Sequence, residues 1–146
     1  LCQSVCGDTV SLRLSWMYAR DSFPGEHGHF FATLTETLEN EALPLCWPVY
    51  DRRGLTDVKY VVENLEKALD LPGGVWNFGS ENDKNTYTTV KTALEEAELW
   101  AALERLTPNE TAFAASPRDI SMDTGKLREA GIFFPTTAEG LIRALK

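Results

Sequence analysis

The spacing of apolar residues along the chain predicts alternating strands and helices. Residues 9–17 are rich in β-branched and apolar residues, which is typical of a strand. Apolar residues at helical spacing then predict a helix over 28–40, after a loop over 18–27 that contains proline and glycine. Residues 43–50 are apolar but hold two prolines, so they predict a short edge strand, because proline cannot donate to a ladder.

The clearest predicted helix covers residues 57–70. Six apolar residues make one continuous stripe along it: Val58, Val61, Val62, Leu65, Ala68 and Leu69. Thr56 is the expected N-cap, and the Pro-Gly-Gly sequence at 72–74 is expected to end the segment. Residues 75–78 then predict a buried strand.

The remaining chain predicts four shorter elements, which complete an alternating order. They are a helix over 86–97, a strand over 103–107, a short helix ending at Glu129 and a last helix over 137–145. The expected N-caps are Asn85, Asp123 and Thr136, and Thr136 is expected to form a capping box with Glu139. Such alternation predicts α/β architecture, and without a linker or repeat, residues 1–146 are expected to form a single unit.

Composition narrows the classes of partner. A chain of 146 residues with 43% apolar content can bury one ordinary core, and its apolar runs are too short to span a bilayer. A net charge of -8 opposes binding to nucleic acid or to an anionic membrane. With no secretory signal and an odd count of three cysteines, we expect a cytoplasmic setting and reduced, partly buried thiols.

The sequence has no self-contained cofactor or metal motif. It contains neither a G-x-G-x-x-G fingerprint nor a phosphate-binding G-x-x-x-x-G-K-[ST] loop, so we expect this chain alone to bind no cofactor. His27 and His29 are too few to fill a metal coordination sphere, and a solvated loop is the favoured interpretation.

Two short motifs each allow a chemical and a structural interpretation. Tyr87 and Lys91 have the Tyr-x-x-x-Lys spacing, in which the ammonium lowers the pKa of the phenol, as in short-chain dehydrogenases. The favoured alternative is an amphipathic helix on which Tyr87 packs and Lys91 faces water. Arg52 and Arg53, just before the best helix, suit a phosphate, but a solvated turn with two surface arginines would look the same.

Several segments, taken in order, resemble the dTDP-4-dehydrorhamnose reductases, members of the extended short-chain dehydrogenases. Residues 13–19 (RLSWMYA) are similar to the family's R-T-S-W-V-Y-G, and residues 116–127 resemble its R-P-x-x-S-x-L-D-T-S-K-L. Weaker likenesses lie between and after them, at residues 30–31, 50–56 (YDRRGLT, against D-Q-x-G-x-P-T), 75–79, 85–87 and 139–141.

The resemblance implies a partial Rossmann-like parallel sheet plus the small C-terminal substrate-binding lobe of an NAD(P)-dependent sugar-nucleotide reductase. The family's cofactor fingerprint and catalytic Tyr/Lys lie upstream of the segment matched at 13–19. The resemblance therefore implies that this chain is a C-terminal substrate-side fragment with no catalytic residue. It also implies that the chain binds a nucleotide sugar and that NAD(P)H binds the full-length parent.

The resemblance also selects candidate substrate-binding residues. Trp16 is expected to pack on a sugar or base face, because an indole offers a broad apolar surface. Arg52, Arg53 and Arg118 are expected to contact phosphate. The chain departs from the family at Ser116, where the family has arginine, and lacks the Gln and Pro of D-Q-x-G-x-P-T.

These departures keep two alternatives open. One is a non-enzymatic member of the superfamily that acts through protein contacts, and the other is an unrelated small α/β binding module. The parent gene would distinguish them, since only the enzyme needs both the glycine fingerprint and the catalytic Tyr/Lys. A cut sheet would also expose strand edges, so we expect either a homo-oligomer formed through those edges or a marginally stable chain.

Overall fold

The computed structural model describes residues 2–20 and 30–146, without the side chains of residues 2 and 3. The described helices are α1 (Cys2–Val5), α2 (Phe30–Glu39), α3 (Val58–Ala68), α4 (Thr86–Glu96), α5 (Trp100–Arg105), α6 (Gly125–Glu129) and α7 (Thr137–Leu145). The described strands are β1 (Val10–Leu14), β2 (Trp16–Tyr18), β3 (Cys46–Pro48), β4 (Asp51–Arg53), β5 (Leu55–Asp57), β6 (Gly74–Phe78), β7 (Thr107–Asn109) and β8 (Arg118–Ile120). Within these ranges no helix is long and apolar enough to cross a membrane.

All the strand pairs of the described chain are parallel, which confirms the predicted α/β class. The pairs are β1–β6, β2–β5, β3–β7 and β4–β8, each a separate two-stranded ladder. Parallel neighbours need long crossover connections, and the helices lie in those connections. Residues far apart in sequence are therefore brought together four times.

Apolar side chains form three core clusters that follow this arrangement. In the first, α3 packs on β1 and β6, with Trp76 and Phe78 buried at its centre. In the second, Tyr18 and Leu55 of the β2–β5 pair meet Leu141 of α7. The third is built mainly by α2, α4 and α5.

The strand predicted over 9–17 divides at Ser15 into β1 and β2, which pair with different partners. The Ser15 hydroxyl shares a hydrogen bond with Thr56, and Thr56 Oγ1 also accepts from Ser80 N at 2.7 Å. A Cβ on Gly79 would lie 2.9 Å from Thr56 Oγ1 and closer still to Ser15 Oγ. Glycine is thus required where the two ladders meet.

The helix caps confirm two predictions and correct two. Asn85 Oδ1 accepts from Thr88 N at 2.7 Å, and the capping box of α7 is formed. The prediction that Thr56 caps α3 was wrong: Asp57 does so, because Thr56 is buried in β5. Asp123 was also wrong as an N-cap. It lies one residue too early, and Thr124 occupies that position.

Two element boundaries and the burial of one apolar stripe also differ from the prediction. The strand predicted over 103–107 was wrong, since α5 continues to Arg105 and β7 begins at Thr107. The strand predicted over 43–50 shortens to β3, which does lie at an edge, pairing only with β7 among the described strands. The stripe on α3 is divided: Val61 and Ala68 are buried, whereas four members are exposed, namely Val58, Val62, Leu65 and Leu69.

Cys6 and Cys46 are free thiols, as expected, but Cys6 is exposed rather than partly buried. The predicted loop over 18–27 begins instead within β2, and most of it lies outside the described residues. His27 and His29 also lie outside the described residues.

Candidate functional site

Pairing between β4 and β8 brings the predicted arginines together. The register places Asp51 beside Arg118 and Arg52 beside Asp119, although the two strands are far apart in sequence. Arg52 from β4 and Arg118 from β8 thus come to the wall of one cavity, while Arg53 is buried. Sequence spacing alone gave no reason to connect Arg118 with Arg53, and the ladder supplies that connection.

Asp51 is the buried centre of this arrangement, with only 2% of its surface exposed. Arg53 donates to it twice, from Nε to Oδ2 at 2.7 Å and from Nη2 to Oδ1 at 3.0 Å. Arg118 Nε donates to Oδ1 at 3.0 Å, and Thr86 Oγ1 lies within 3.1 Å of Oδ2. One carboxylate therefore holds two guanidinium groups that come from different strands.

The charge state of Asp51 follows from these contacts. Burial by itself raises the pKa of a carboxyl group, because it penalises the charged form. Hydrogen bonds and charge from Arg53, together with Thr86 and Arg118, outweigh that effect and lower the pKa of Asp51 below its ordinary value. Asp51 is thus an ionised anchor and is not suited to act as a general acid near neutral pH.

Two aromatic rings cover the outer sides of the guanidinium groups. The Arg53 guanidinium carbon lies 4.1 Å from the centre of the Trp16 ring, and that of Arg118 lies 3.6 Å from the centre of Phe113. Trp16 remains 56% exposed, so its indole still presents a broad surface to solvent. We call Trp16, Asp51, Arg53, Phe113 and Arg118 the Asp51 cluster.

The two central arginines differ in availability. Arg53 is only 6% exposed and bound to Asp51 through two nitrogens, so it has little surface to offer a ligand. The Arg118 side chain is 37% exposed and uses one nitrogen on Asp51. Arg52 is more open still and meets Asp119 at 3.3 Å in a surface ion pair.

A cavity of about 460 Å³ adjoins the cluster. Its charged lining residues are Arg52, Asp83, Lys84, Arg118 and Asp119, and the start of α4 at Asn85 forms part of its wall. Three cations thus face two carboxylates in a chain whose overall charge is strongly negative. This local excess of positive charge suits an anionic group.

A larger cavity, of about 680 Å³, lies between α2, α5 and α7. Its wall is mostly apolar and contains none of the predicted site residues. It also adjoins Arg20, beside the part of the chain that is not described. Its charged lining residues are Arg20, Glu39, Glu41, Glu98 and Arg105, so carboxylates outnumber cations there. Cations outnumber carboxylates around the smaller cavity, which therefore suits an anionic ligand better despite its smaller volume.

Tyr87 and Lys91 have separate partners in the structure. Tyr87 packs against the cluster built by α2, α4 and α5, and Lys91 lies 3.8 Å from Glu95 in a surface ion pair. The structure therefore agrees with the amphipathic-helix interpretation. In the described part of the chain, no group of three potential ligands could hold a metal ion.

Sequence reasoning missed three contributors to the site: Asp51, Thr86 and Phe113. An acid directly before two arginines was a usable signal for Asp51, because such a cluster needs a counter-charge when it folds inward. Phe113 has a left-handed φ of 63°, and neither this geometry nor its stacking partner was visible in the local sequence.

Solved structures with the same arrangement of elements include nucleotide-sugar enzymes. UDP-N-acetylglucosamine 4-epimerase from Bacillus cereus superposes with a TM-score of 0.64 at 14% identity, over 93% of this chain and 45% of that one. dTDP-4-dehydrorhamnose reductase from Bacillus anthracis, in complex with NADP, gives 0.62 at 16% identity, over 92% and 47%. The chain has part of the fold of these enzymes.

A third such neighbour is UDP-glucose 4-epimerase from Thermotoga maritima with UDP-glucose, with a TM-score of 0.61 at 17% identity, over 93% of this chain and 44% of that one. The chain spans less than half the length of these neighbours. No protein-family model matches the sequence. No curated protein matches it either. The three superpositions confirm the Rossmann-like fold expected from the resemblance.

Proposed function

We propose that this chain is the substrate-binding portion of an NAD(P)-dependent sugar-nucleotide reductase. The observation that supports it most directly is the Asp51 cluster, which joins an exposed indole to a cavity with excess positive charge. A nucleotide sugar has both kinds of group that such a surface can bind: flat ring faces and a diphosphate.

Each residue has a distinct role in this proposal. Trp16 packs on the sugar or base, while Arg118 and Arg52 bind the diphosphate. Arg53 acts mainly by fixing the indole, since its guanidinium lies between Trp16 and Asp51. A direct contact from Arg53 to phosphate is disfavoured because the residue is only 6% exposed.

The hydride chemistry would come from outside this chain. NAD(P)H would bind elsewhere in a longer parent protein, and the 146 residues contribute substrate binding without a catalytic residue of their own. The neighbours that contain NADP or UDP-glucose support this division, because each is more than twice as long as the part that superposes.

Binding of dTDP-glucose and of UDP-glucose to the chain, measured by calorimetry, tests the proposal. We expect Trp16→Ala and Arg118→Gln each to weaken binding about tenfold, equivalent to about 1.4 kcal/mol. Trp100→Ala is the matched control, because Trp100 is 58% exposed and lies in α5, away from the cluster. We expect it to leave the affinity unchanged.

Glucose and inorganic phosphate, titrated separately, show which part of the ligand is recognised. Saturable binding of the nucleotide sugars, lost in the cluster variants and kept in the Trp100 control, supports the assignment. Absence of binding, or equal losses in all three variants, would overturn it and favour a module that acts through protein contacts.

A further inference from the structure

The segment between β7 and β8 is held at both ends by hydrogen bonds. Asn109, the last residue of β7, accepts through Oδ1 from Thr111 N at 3.2 Å and from Ala112 N at 2.8 Å. At the other end, Arg118 N donates to Tyr50 O at 2.9 Å. The path of the chain between these two points is therefore set by the strands that it connects.

Phe113 lies in this segment in a strained conformation. Its φ of 63° belongs to the left-handed region, which a bulky residue rarely adopts. Such a conformation costs free energy and persists only where the surrounding contacts impose it. The Phe113 carbonyl accepts from Ser116 N at 3.1 Å, which turns the chain back toward β8.

The Phe113 ring contacts a guanidinium group and not the apolar core. In the described part of the chain it belongs to none of the three core clusters. The ring centre lies 3.6 Å from the guanidinium carbon of Arg118, close enough for the face of the ring to attract the cation. Core packing therefore does not account for the strained backbone, whereas the contact with Arg118 does.

These contacts leave Arg118 one uncommitted edge. Its Nε donates to Asp51 Oδ1 at 3.0 Å, and Phe113 covers one face of the guanidinium plane. Neither Nη nitrogen of Arg118 has a hydrogen-bond partner among the described residues. Arg118 also lines the cavity of about 460 Å³. The Nη pair is thus the part of the guanidinium that is available to an anion in this cavity.

We propose that Phe113 is a positioning residue, which fixes Arg118 so that its two Nη nitrogens bind one phosphate side by side. This inference rests on the proposed function, because it concerns the same cavity and the same nucleotide sugar. A planar guanidinium can donate to two oxygens of one phosphate when its orientation is set. An arginine that is already ordered loses less conformational entropy on binding, so binding is tighter.

The order of the Arg118 side chain can be measured without a ligand, from the ¹⁵N relaxation of its Nε–H group. Phe113→Leu keeps an apolar side chain but removes the ring, so the heteronuclear NOE of this group should fall. Phe113→Tyr keeps the ring and should preserve the NOE. Phe133→Leu is the control, because Phe133 is 62% exposed and lies between α6 and α7. An unchanged NOE in Phe113→Leu would overturn the proposal.

A double-mutant cycle with UDP-glucose shows whether Phe113 acts through Arg118. We expect Phe113→Leu to weaken binding about fivefold and Phe113→Tyr to retain the affinity within about twofold. In the Arg118→Gln background, Phe113→Leu should have no further effect, because the group that it positions is already gone. Losses that multiply in the double variant would show that the two residues act independently, which would contradict the proposal.

Arg118→Lys tests the paired nitrogens. Lysine keeps the positive charge but has a single nitrogen and no planar fork, so UDP-glucose should bind about tenfold more weakly, as with Arg118→Gln. Undiminished affinity in Arg118→Lys would show that the charge alone matters, and the side-by-side contact would then be wrong.

Thermal melts of Phe113→Gly and Phe113→Ala test the strain. Both variants lack the ring, but glycine adopts a positive φ without the steric cost that alanine bears. We therefore expect the glycine variant to melt at the higher temperature. The reverse order would contradict the strained backbone on which the proposal depends.

The positioning role and the proposed function can fail separately. If the original chain binds no nucleotide sugar although Phe113 orders Arg118, the proposed function fails and the effect of Phe113 on Arg118 stands. If the chain binds UDP-glucose but Phe113→Leu neither loosens Arg118 nor weakens binding, the positioning role fails and the proposed function stands.

Discussion

Asp51 shows how one residue can organise a site. A buried carboxylate normally opposes folding unless its charge is compensated, and here Arg53 and Arg118 compensate it from two strands. The same contacts hold Arg53 beneath Trp16 and limit the movement of Arg118. Asp51 therefore acts on any ligand through the residues it positions.

Replacing Asp51 should destabilise the chain strongly. In Asp51→Ala the buried Arg53 loses its partner, and we expect the free energy of unfolding to fall by about 3 kcal/mol. Urea denaturation measures this change. Asp119→Ala is the control, since its ion pair with Arg52 is exposed and should be worth less than about 1 kcal/mol. Similar losses in both variants would contradict the role assigned to Asp51.

At the scale of elements, helix ends were predicted best where a side chain satisfies backbone donors locally. Asn85 and Thr136 are such residues, and both cap their helices as expected. Thr56 was misassigned because the neighbouring Asp57 is equally able to cap. Asp123 lies one residue before the N-cap, although its Oδ1 accepts from Gly125 N at 2.8 Å, whereas Thr124 makes no side-chain cap hydrogen bond. The backbone direction, which follows from packing, selects between such neighbours.

Removing the cap of α4 should cost about 1 kcal/mol of stability. Asn85→Ala leaves Thr88 N without its side-chain acceptor, whereas Asn85→Asp keeps an acceptor at the same position. Thermal and urea unfolding of the two variants provide the comparison. An equal effect of alanine and aspartate would show that the cap contributes nothing measurable.

At the scale of the whole molecule, acidic side chains connect distant segments. Glu81 accepts from Thr124 and lies 2.8 Å from Arg128, and its backbone carbonyl accepts from Thr137. Burial raises the pKa of Glu81, but the hydrogen bonds of Thr124 and Arg128 lower it by more. Asp51 and Glu81 thus share a lowered pKa and each join parts of the chain that are distant in sequence.

The stability of the folded chain should therefore fall on acidification. A carboxyl whose folded pKa is depressed contributes stability that is fully present above its unfolded pKa, about 4, and is lost as the pH falls through the folded value. Urea midpoints should change little from neutral pH to about 5 and then drop below about 4. Asp51→Asn should flatten part of that drop, and an unchanged slope would contradict this account.

The sequence by itself determined the features that depend on local chemistry. Apolar periodicity predicted α/β alternation, the buried strand around Trp76 and most of the helices, because these patterns act over a few residues. The family resemblance, together with side-chain chemistry, selected Trp16, Arg52, Arg53 and Arg118 as candidates. The sequence could not determine how far each one is exposed, since that depends on neighbours from other segments.

Only the tertiary structure decided which strands pair and which charges are neutralised. The parallel register of β4 and β8 brings Arg118 to Asp51, and α3 divides its apolar residues between the core and the surface. Both outcomes depend on contacts between residues far apart in the chain. Local propensity contains no information about such contacts, because long-range packing supplies the free energy that selects them.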